Sequence, residues 1–78
     1  MAQPCSIDGV DPGLDVSLIR IGGEQGFRRR LMEMGFVPGT HIQVRHRSNS
    51  GDLLTLEVRG SCISIRQNEA QHLFVQPC

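Results

Sequence analysis

Between residues 40 and 66 the chain states one pattern three times. Ile42 and Val44 alternate with Gln43 and Arg45; Leu54, Leu56 and Val58 alternate with Thr55, Glu57 and Arg59; Ile63 and Ile65 alternate with Ser64 and Arg66. Successive side chains of a strand point to opposite faces, so each run predicts a strand with one apolar and one wetted face. The separating segments are short. Asn49-Ser50-Gly51-Asp52 and Gly60-Ser61 leave room only for hairpins, the second with a turn that needs positive φ. Three antiparallel strands sharing one apolar face are therefore expected.

The residues before this block predict a strand and a helix. Val16 to Ile21 is apolar and branched enough for a first strand, which Gly22-Gly23 breaks. From about Glu24 to Met34, Phe27, Leu31 and Met34 fall on one stripe of a 3.6-residue period. Glu24 with Arg28 and Arg29 with Glu33 are i,i+4 pairs of opposite charge, each supporting the exposed face by about 0.2–0.5 kcal/mol. So short a segment is not held helical by propensity, which leaves docking of Phe27, Leu31 and Met34 on the sheet to stabilise it. Gly35 ends the helix, since a left-handed backbone costs glycine nothing, and Phe36 can fold back onto the last turn. Pro38-Gly39 has the residues of a type II turn, with a strand starting at Thr40. After Arg66, the run Gln67 to Gln71 predicts one helical turn capped by Asn68, and Leu73-Phe74-Val75 a closing strand. The fold class that follows is mainly β with one short α-helix: a small five-stranded antiparallel barrel, the helix inserted after the first strand.

With 78 residues, no repeat and no low-complexity segment, one domain is expected over residues 1–78, its core at about 6–76. A chain this short buries only about 60% of its unfolded surface. No run approaches the ~20 apolar residues needed to cross a bilayer, and Met1 to Val10 lacks a basic start followed by an apolar stretch. The expected localisation is cytoplasmic, without direct membrane insertion. Cys5, Cys62 and Cys78 are odd in number and widely spaced, which predicts reduced thiols. Eight basic residues, all arginine, balance eight acids, so there is no global field to attract nucleic acid or an anionic membrane. Their distribution is uneven, however: Arg28, Arg29, Arg30, Arg45 and Arg47 face Glu33 alone between residues 28 and 47.

Candidate chemistry is sparse. His41 and His46 lie five apart on one predicted strand, a separation that regular geometry sends to opposite faces, and His72 stands alone. No Cys-x-x-Cys, His-x-x-x-His or carboxylate cluster with ligand spacing is present, so neither a metal site nor a cofactor is expected. Exposed histidine with Cys78 could still scavenge a transition metal ion in vitro. Cys62 points outward or toward an edge, without an evident basic partner. Enzyme activity is not expected. Single-strand nucleic-acid binding lacks its stacking platform, for there is no Trp or Tyr and the three phenylalanines are needed by the helix, its cap and the last strand.

Several of these segments together are specific. The Arg30-Leu31-Met32-Glu33-Met34-Gly35 helix end, the Pro38-Gly39-Thr40 turn, the Gly51-Asp52 corner, Arg59-Gly60, Arg66-Gln67-Asn68-Glu69-Ala70 and the opening Val10-Asp11-Pro12-Gly13 turn resemble the ferrous iron transport protein A (FeoA) family. The resemblance covers roughly residues 6 to 76. It implies an SH3-like barrel and a small cytosolic accessory of the bacterial ferrous iron permease, a permease with an attached GTPase domain, and a place at the inner membrane only through that partner. Ser48-Asn49-Ser50 stand before Gly51-Asp52, and Leu53 after, where the family often has proline; a more flexible loop is expected. The same barrel type also occurs, by resemblance, in metal-dependent repressors, but this chain has no helix-turn-helix.

The resulting expectation is a non-enzymatic adaptor whose contact surface is the helix face at Arg28 and Arg29, with Arg47 and the Asn49, Gly51 and Asp52 loop. Leu31, Met34, Gly35, Pro38 and Gly39 are assigned to structure. Any apolar side chain of the helix left uncovered would add an anchor. Two alternatives stay open: a GTPase activator using an exposed arginine, Arg47 being the freer candidate beside the loop, and a metal or redox sensor using Cys62, Cys78 and a histidine. Weak homo-oligomerisation through a strand edge is a further expectation.

Overall fold

The computed structural model describes residues 4–77; Cys78 and its expected roles lie outside them. The strands are β1 (Cys5–Ser6), β2 (Asp15–Ile21), β3 (His41–Arg47), β4 (Leu53–Val58), β5 (Ser61–Arg66) and β6 (Leu73–Pro77). They form one antiparallel sheet in the order β1-β6-β2-β3-β4-β5. Helix α1 (Gln25–Glu33) joins β2 to β3, the single-turn α2 (Gln67–Ala70) joins β5 to β6, and a 3₁₀ turn spans Ile7–Gly9. The mainly-β class with an inserted helix is as expected, with one strand more. The extra strand is β1, whose two residues pair with Val75 and Phe74; its pairing is wholly long-range, and two residues carry no periodicity.

The alternation places the core. Val16, Leu18, Ile42, Val44, Leu54, Leu56, Val58, Ile65, Leu73 and Val75 are buried on the inner face and form one cluster with Ile7, Leu31, Phe36 and Ala70. Burying each Val, Leu, Ile or Phe side chain contributes about 1.5–3 kcal/mol, so the sheet's inner face supplies most of the stability.

Helix α1 ends as its residues dictate. Gly35 has φ 103°, its N–H donates to the Met32 carbonyl at 3.0 Å, and the Phe36 N–H donates to the Leu31 carbonyl at 3.0 Å. Those two bonds are a Schellman closure. Phe36, fully buried, thereby takes the core position beneath the last turn. Met34 is displaced as a result. It lies on the predicted stripe but is 44% exposed, so its expected docking on the sheet is corrected: the helix is held by Leu31, with Phe27 partly buried beside it. At Pro38-Gly39 the Thr40 N–H donates to the Val37 carbonyl at 3.0 Å with Gly39 at φ 90°, the expected type II turn. That turn is stitched to β2 by Gly39 N–H to the Leu18 carbonyl at 2.7 Å.

Two other local readings are corrected. The last hairpin turns at Arg59-Gly60, not Gly60-Ser61: both residues have positive φ, 54° and 81°, and Ser61 already pairs with Val58. The cap of α2 is Arg66 rather than Asn68, and Glu69 Oε1 reaches back to accept from the Arg66 N–H at 3.0 Å. The loop before β4 is tied by its own serines: Ser48 N–H donates to the Leu53 carbonyl at 2.9 Å, while Ser48 Oγ accepts from the Leu53 N–H at 3.1 Å. Serine hydroxyls thus supply bonds that proline could not.

Candidate functional site

A bulge in β3 decides what the histidines and Arg47 can do. Val44 pairs with Leu56 and His46 with Thr55, so Arg45 is the extra residue and the alternation restarts after it. His46 consequently shares the outer, exposed face with His41, against the expectation of opposite faces. Five residues of strand still separate them by roughly 16 Å, too far for one ion. His72 packs edge-on against Phe27, with ring centroids 5.7 Å apart. Among the described residues no three of His, Cys, Asp and Glu converge, and no buried side-chain polar atom lacks a partner. Cys5 and Cys62 are free and exposed.

The same bulge turns Arg47 toward the chain's first residues. Its register partner is the buried Leu54, and its Nη2 donates to the carbonyls of Asp8 and Val10, the latter at 3.4 Å. The half-buried guanidinium therefore anchors the 3₁₀ turn to β3. Arg47 is thus engaged with the main chain and is not the freer arginine expected beside the loop.

Helix α1 separates its arginines by the 3.6-residue period. Arg30 crosses to α2, where its Nη2 donates to Glu69 Oε2 at 3.1 Å. Arg28 and Arg29 point away from the sheet and, with Gln25 and Met32, line a surface groove of 280 Å³. Those four positions are one stripe, i, i+3, i+4 and i+7. Met32 is 40% exposed, so the face is an apolar side chain set among cations. The sequence carries this signal, since Met32 follows Arg28 by four and Arg29 by three, beside the more apolar stripe of Phe27 and Leu31. Arg30–Glu69 and Arg45–Glu57 (3.4 Å) are the ion pairs within 4 Å among the described residues. The expected Glu24–Arg28 and Arg29–Glu33 pairs are not formed, which leaves Arg28 and Arg29 free for a partner.

The loop candidates lie on an adjoining surface. Asp52 and Leu53 border a groove of 530 Å³ with Arg66, Gln67 and Asn68, and Arg66 and Asn68 also border a second groove, of 420 Å³, that reaches Arg30 and Met34 on α1. Asp52 and the end of α1 are thus brought to one continuous surface. Asn49 and Gly51, at the tip of the loop, line neither groove, and Arg28 and Arg29 face a different side of the helix.

A small SH3-like module with open surface grooves, and with no converging ligand set among its described residues, is the class that this fold and surface define. A family model described as "FeoA domain" matches residues 5–77. The chain belongs to the FeoA family, a family of small domains associated with ferrous iron transport. Among solved structures, a FeoA-like protein from Clostridium acetobutylicum is 32% identical, with a TM-score of 0.88 over 99% of this chain and 90% of that one. A crystal structure of an iron uptake regulatory protein (FeoA) is 25% identical, with a TM-score of 0.85 over 99% of this chain and 100% of that one. A manganese-dependent transcriptional repressor in complex with manganese shares the fold at 14% identity and a TM-score of 0.90, over 100% of this chain and 38% of the repressor. No match is found among curated proteins.

Proposed function

We propose that this chain is a non-enzymatic adaptor of ferrous iron uptake, which docks on the cytosolic, GTPase-containing part of the ferrous iron permease and modulates transport. Family membership supplies the process, and a solved relative carries the description of an iron uptake regulatory protein. The observation that carries the docking reading is Met32, an exposed apolar side chain framed by the unpaired Arg28 and Arg29. An apolar anchor desolvated at the centre of a contact, with a charged rim, is the composition of binding hot spots. Asn49, Gly51 and Asp52 form a second contact, and the protein works in the cytoplasm, reaching the membrane through its partner. Of the arginines weighed for nucleotide contact, Arg47 is engaged with main-chain carbonyls, so a GTPase-activating role would fall to Arg28 or Arg29.

The test is capture of the permease's isolated cytosolic region by the full chain, without nucleotide, with GDP and with a GTP analogue, and measurement of GTP hydrolysis on the same samples. Capture in at least one nucleotide state is expected. Failure in all of them would refute the docking reading.

A further inference from the structure

Among the described residues, strand β5 is paired on one side only. β4 lies against one edge, and among the described residues no strand pairs with the other. The hairpin fixes which main-chain groups are free. A two-residue turn at Arg59-Gly60 makes Val58 and Ser61 the closing hydrogen-bonded pair, so Ser61, Ile63 and Ile65 bond β4 while Cys62 and Ser64 turn their N–H and C=O outward. Two bonds at the end of the strand confirm the phase. Gln67 N–H still reaches β4's side, donating to the Asp52 carbonyl at 2.8 Å, whereas Arg66 N–H faces away and donates to Glu69 Oε1 at 3.0 Å.

Such an edge is a template for another strand unless it is covered or charged against pairing. Here the charge has one sign. Arg59 and Arg66, both exposed, stand at its two ends, and Arg30 stands across a groove of 420 Å³ that also exposes Met34. The acid in that groove, Glu69, is already shared between the Arg30 guanidinium and the Arg66 N–H. Glu57, cross-strand from Cys62, is held by Arg45 at 3.4 Å.

We propose that the free edge of β5 is a docking site for an extended acidic segment of a partner protein, added as a seventh strand of the sheet. The inference rests on the adaptor reading and names the chemistry of what the adaptor takes. Main-chain groups of Cys62 and Ser64 supply up to four hydrogen bonds, and carboxylates of the added segment meet Arg59 and Arg66, whose planar guanidinium groups suit them. A second copy of this chain is the wrong occupant. The register that pairs Cys62 with Ser64 of a second copy sets Arg66 against that copy's Arg59-Gly60 turn, and like charges across strands are destabilising. This argues against the strand-edge self-association expected from the sequence.

The experiment is an amide NMR titration of the full chain with two hexapeptides, one alternating valine and glutamate, the other valine and lysine. The acidic peptide is expected to shift the Cys62 and Ser64 amides, slow their hydrogen exchange and bind about tenfold tighter than the basic one at low salt, a difference that shrinks in about 0.5 M salt. Ser64→Pro removes an outward donor without taking one from the ladder with β4, and should abolish these shifts. If that variant folds poorly, Arg59→Glu with Arg66→Glu, both at exposed positions, should invert the preference toward the lysine peptide. Equal binding of both peptides, shifts elsewhere on the surface, or no shift at millimolar peptide would overturn the proposal. Capture of the permease's cytosolic region separates the two ideas. Capture by the native chain and equally by Ser64→Pro removes the edge alone; no capture by the native chain removes the adaptor reading, while the peptide titration still decides the edge.

Discussion

Arg47 donates to the main-chain carbonyl of Asp8, 39 residues earlier in the chain. One side chain from the middle of the sequence thus fixes the 3₁₀ turn that follows the first strand, and the Val10 carbonyl accepts from it as well. Truncation leaves both carbonyls without this donor. Arg47→Ala should lower stability by about 1–3 kcal/mol, read as a reduced urea midpoint, and Arg47→Lys should recover part of the loss. GTP hydrolysis by a bound permease domain should be unaltered at temperatures where the variant stays folded.

Gly35 should tolerate little change. At φ 103° its backbone is one that L side chains rarely adopt, while an added Cβ would meet only the Arg59 side chain, Cδ at 3.7 Å and Nε at 4.0 Å, ordinary contacts. The penalty of Gly35→Ala is therefore conformational, about 1–2 kcal/mol, and a thermal melt should show a clear drop in Tm without loss of β-sheet signal.

Arg59 is strained in the opposite sense, as a non-glycine residue at φ 54° in a turn whose second residue is Gly60. Asn tolerates that region better, and Asn-Gly is the preferred pair for a two-residue hairpin. Arg59→Asn should raise stability by about 0.5–1 kcal/mol, measurable as a higher denaturant midpoint with an unchanged slope.

What could be read in the residues was local. Gly35 and Pro38-Gly39 announce their own conformations, and the alternating runs place β3, β4 and β5 because period two is a property of single segments. The misreadings came from pairing between distant segments. Nothing in His41-Ile42-Gln43-Val44-Arg45-His46-Arg47 marks Arg45 as a bulge; only its register against β4 does, and it reverses the orientation of His46 and Arg47 together. Met34 fits the helical stripe, but Phe36 reaches the same core position through the Schellman turn, so the stripe ends one residue early. Of the expected contact surface, Arg28 and Arg29 are exposed without the Glu24 and Glu33 pairs that their spacing suggests, Met32 lies on a stripe beside the buried one, and Arg47 bonds carbonyls of a segment that no local signal links to it.

Glu69 joins two roles, bonding Arg30 at 3.1 Å and the Arg66 N–H at 3.0 Å. The ion pair is solvent-exposed on the arginine side, 63% against 27% for the glutamate, and such pairs contribute little. Arg30→Ala should therefore cost less than about 0.5 kcal/mol, whereas Glu69→Ala, which also loses the helix cap, should cost about 1 kcal/mol. Chemical denaturation of the two single variants distinguishes them.

The proposed docking runs through Met32, an apolar side chain set among arginines. Calorimetric titration of the full chain into the permease's purified cytosolic region, alongside Met32→Ser and the double variant Arg28→Glu, Arg29→Glu, is the decisive experiment. Saturable binding by the native chain is predicted, weakened at least about tenfold by either change while thermal melts stay within about 0.5 kcal/mol of the native protein, as expected for exposed positions. Native-strength binding by both variants would contradict the assignment of that face, and no binding by the native chain in any nucleotide state would contradict the adaptor role itself.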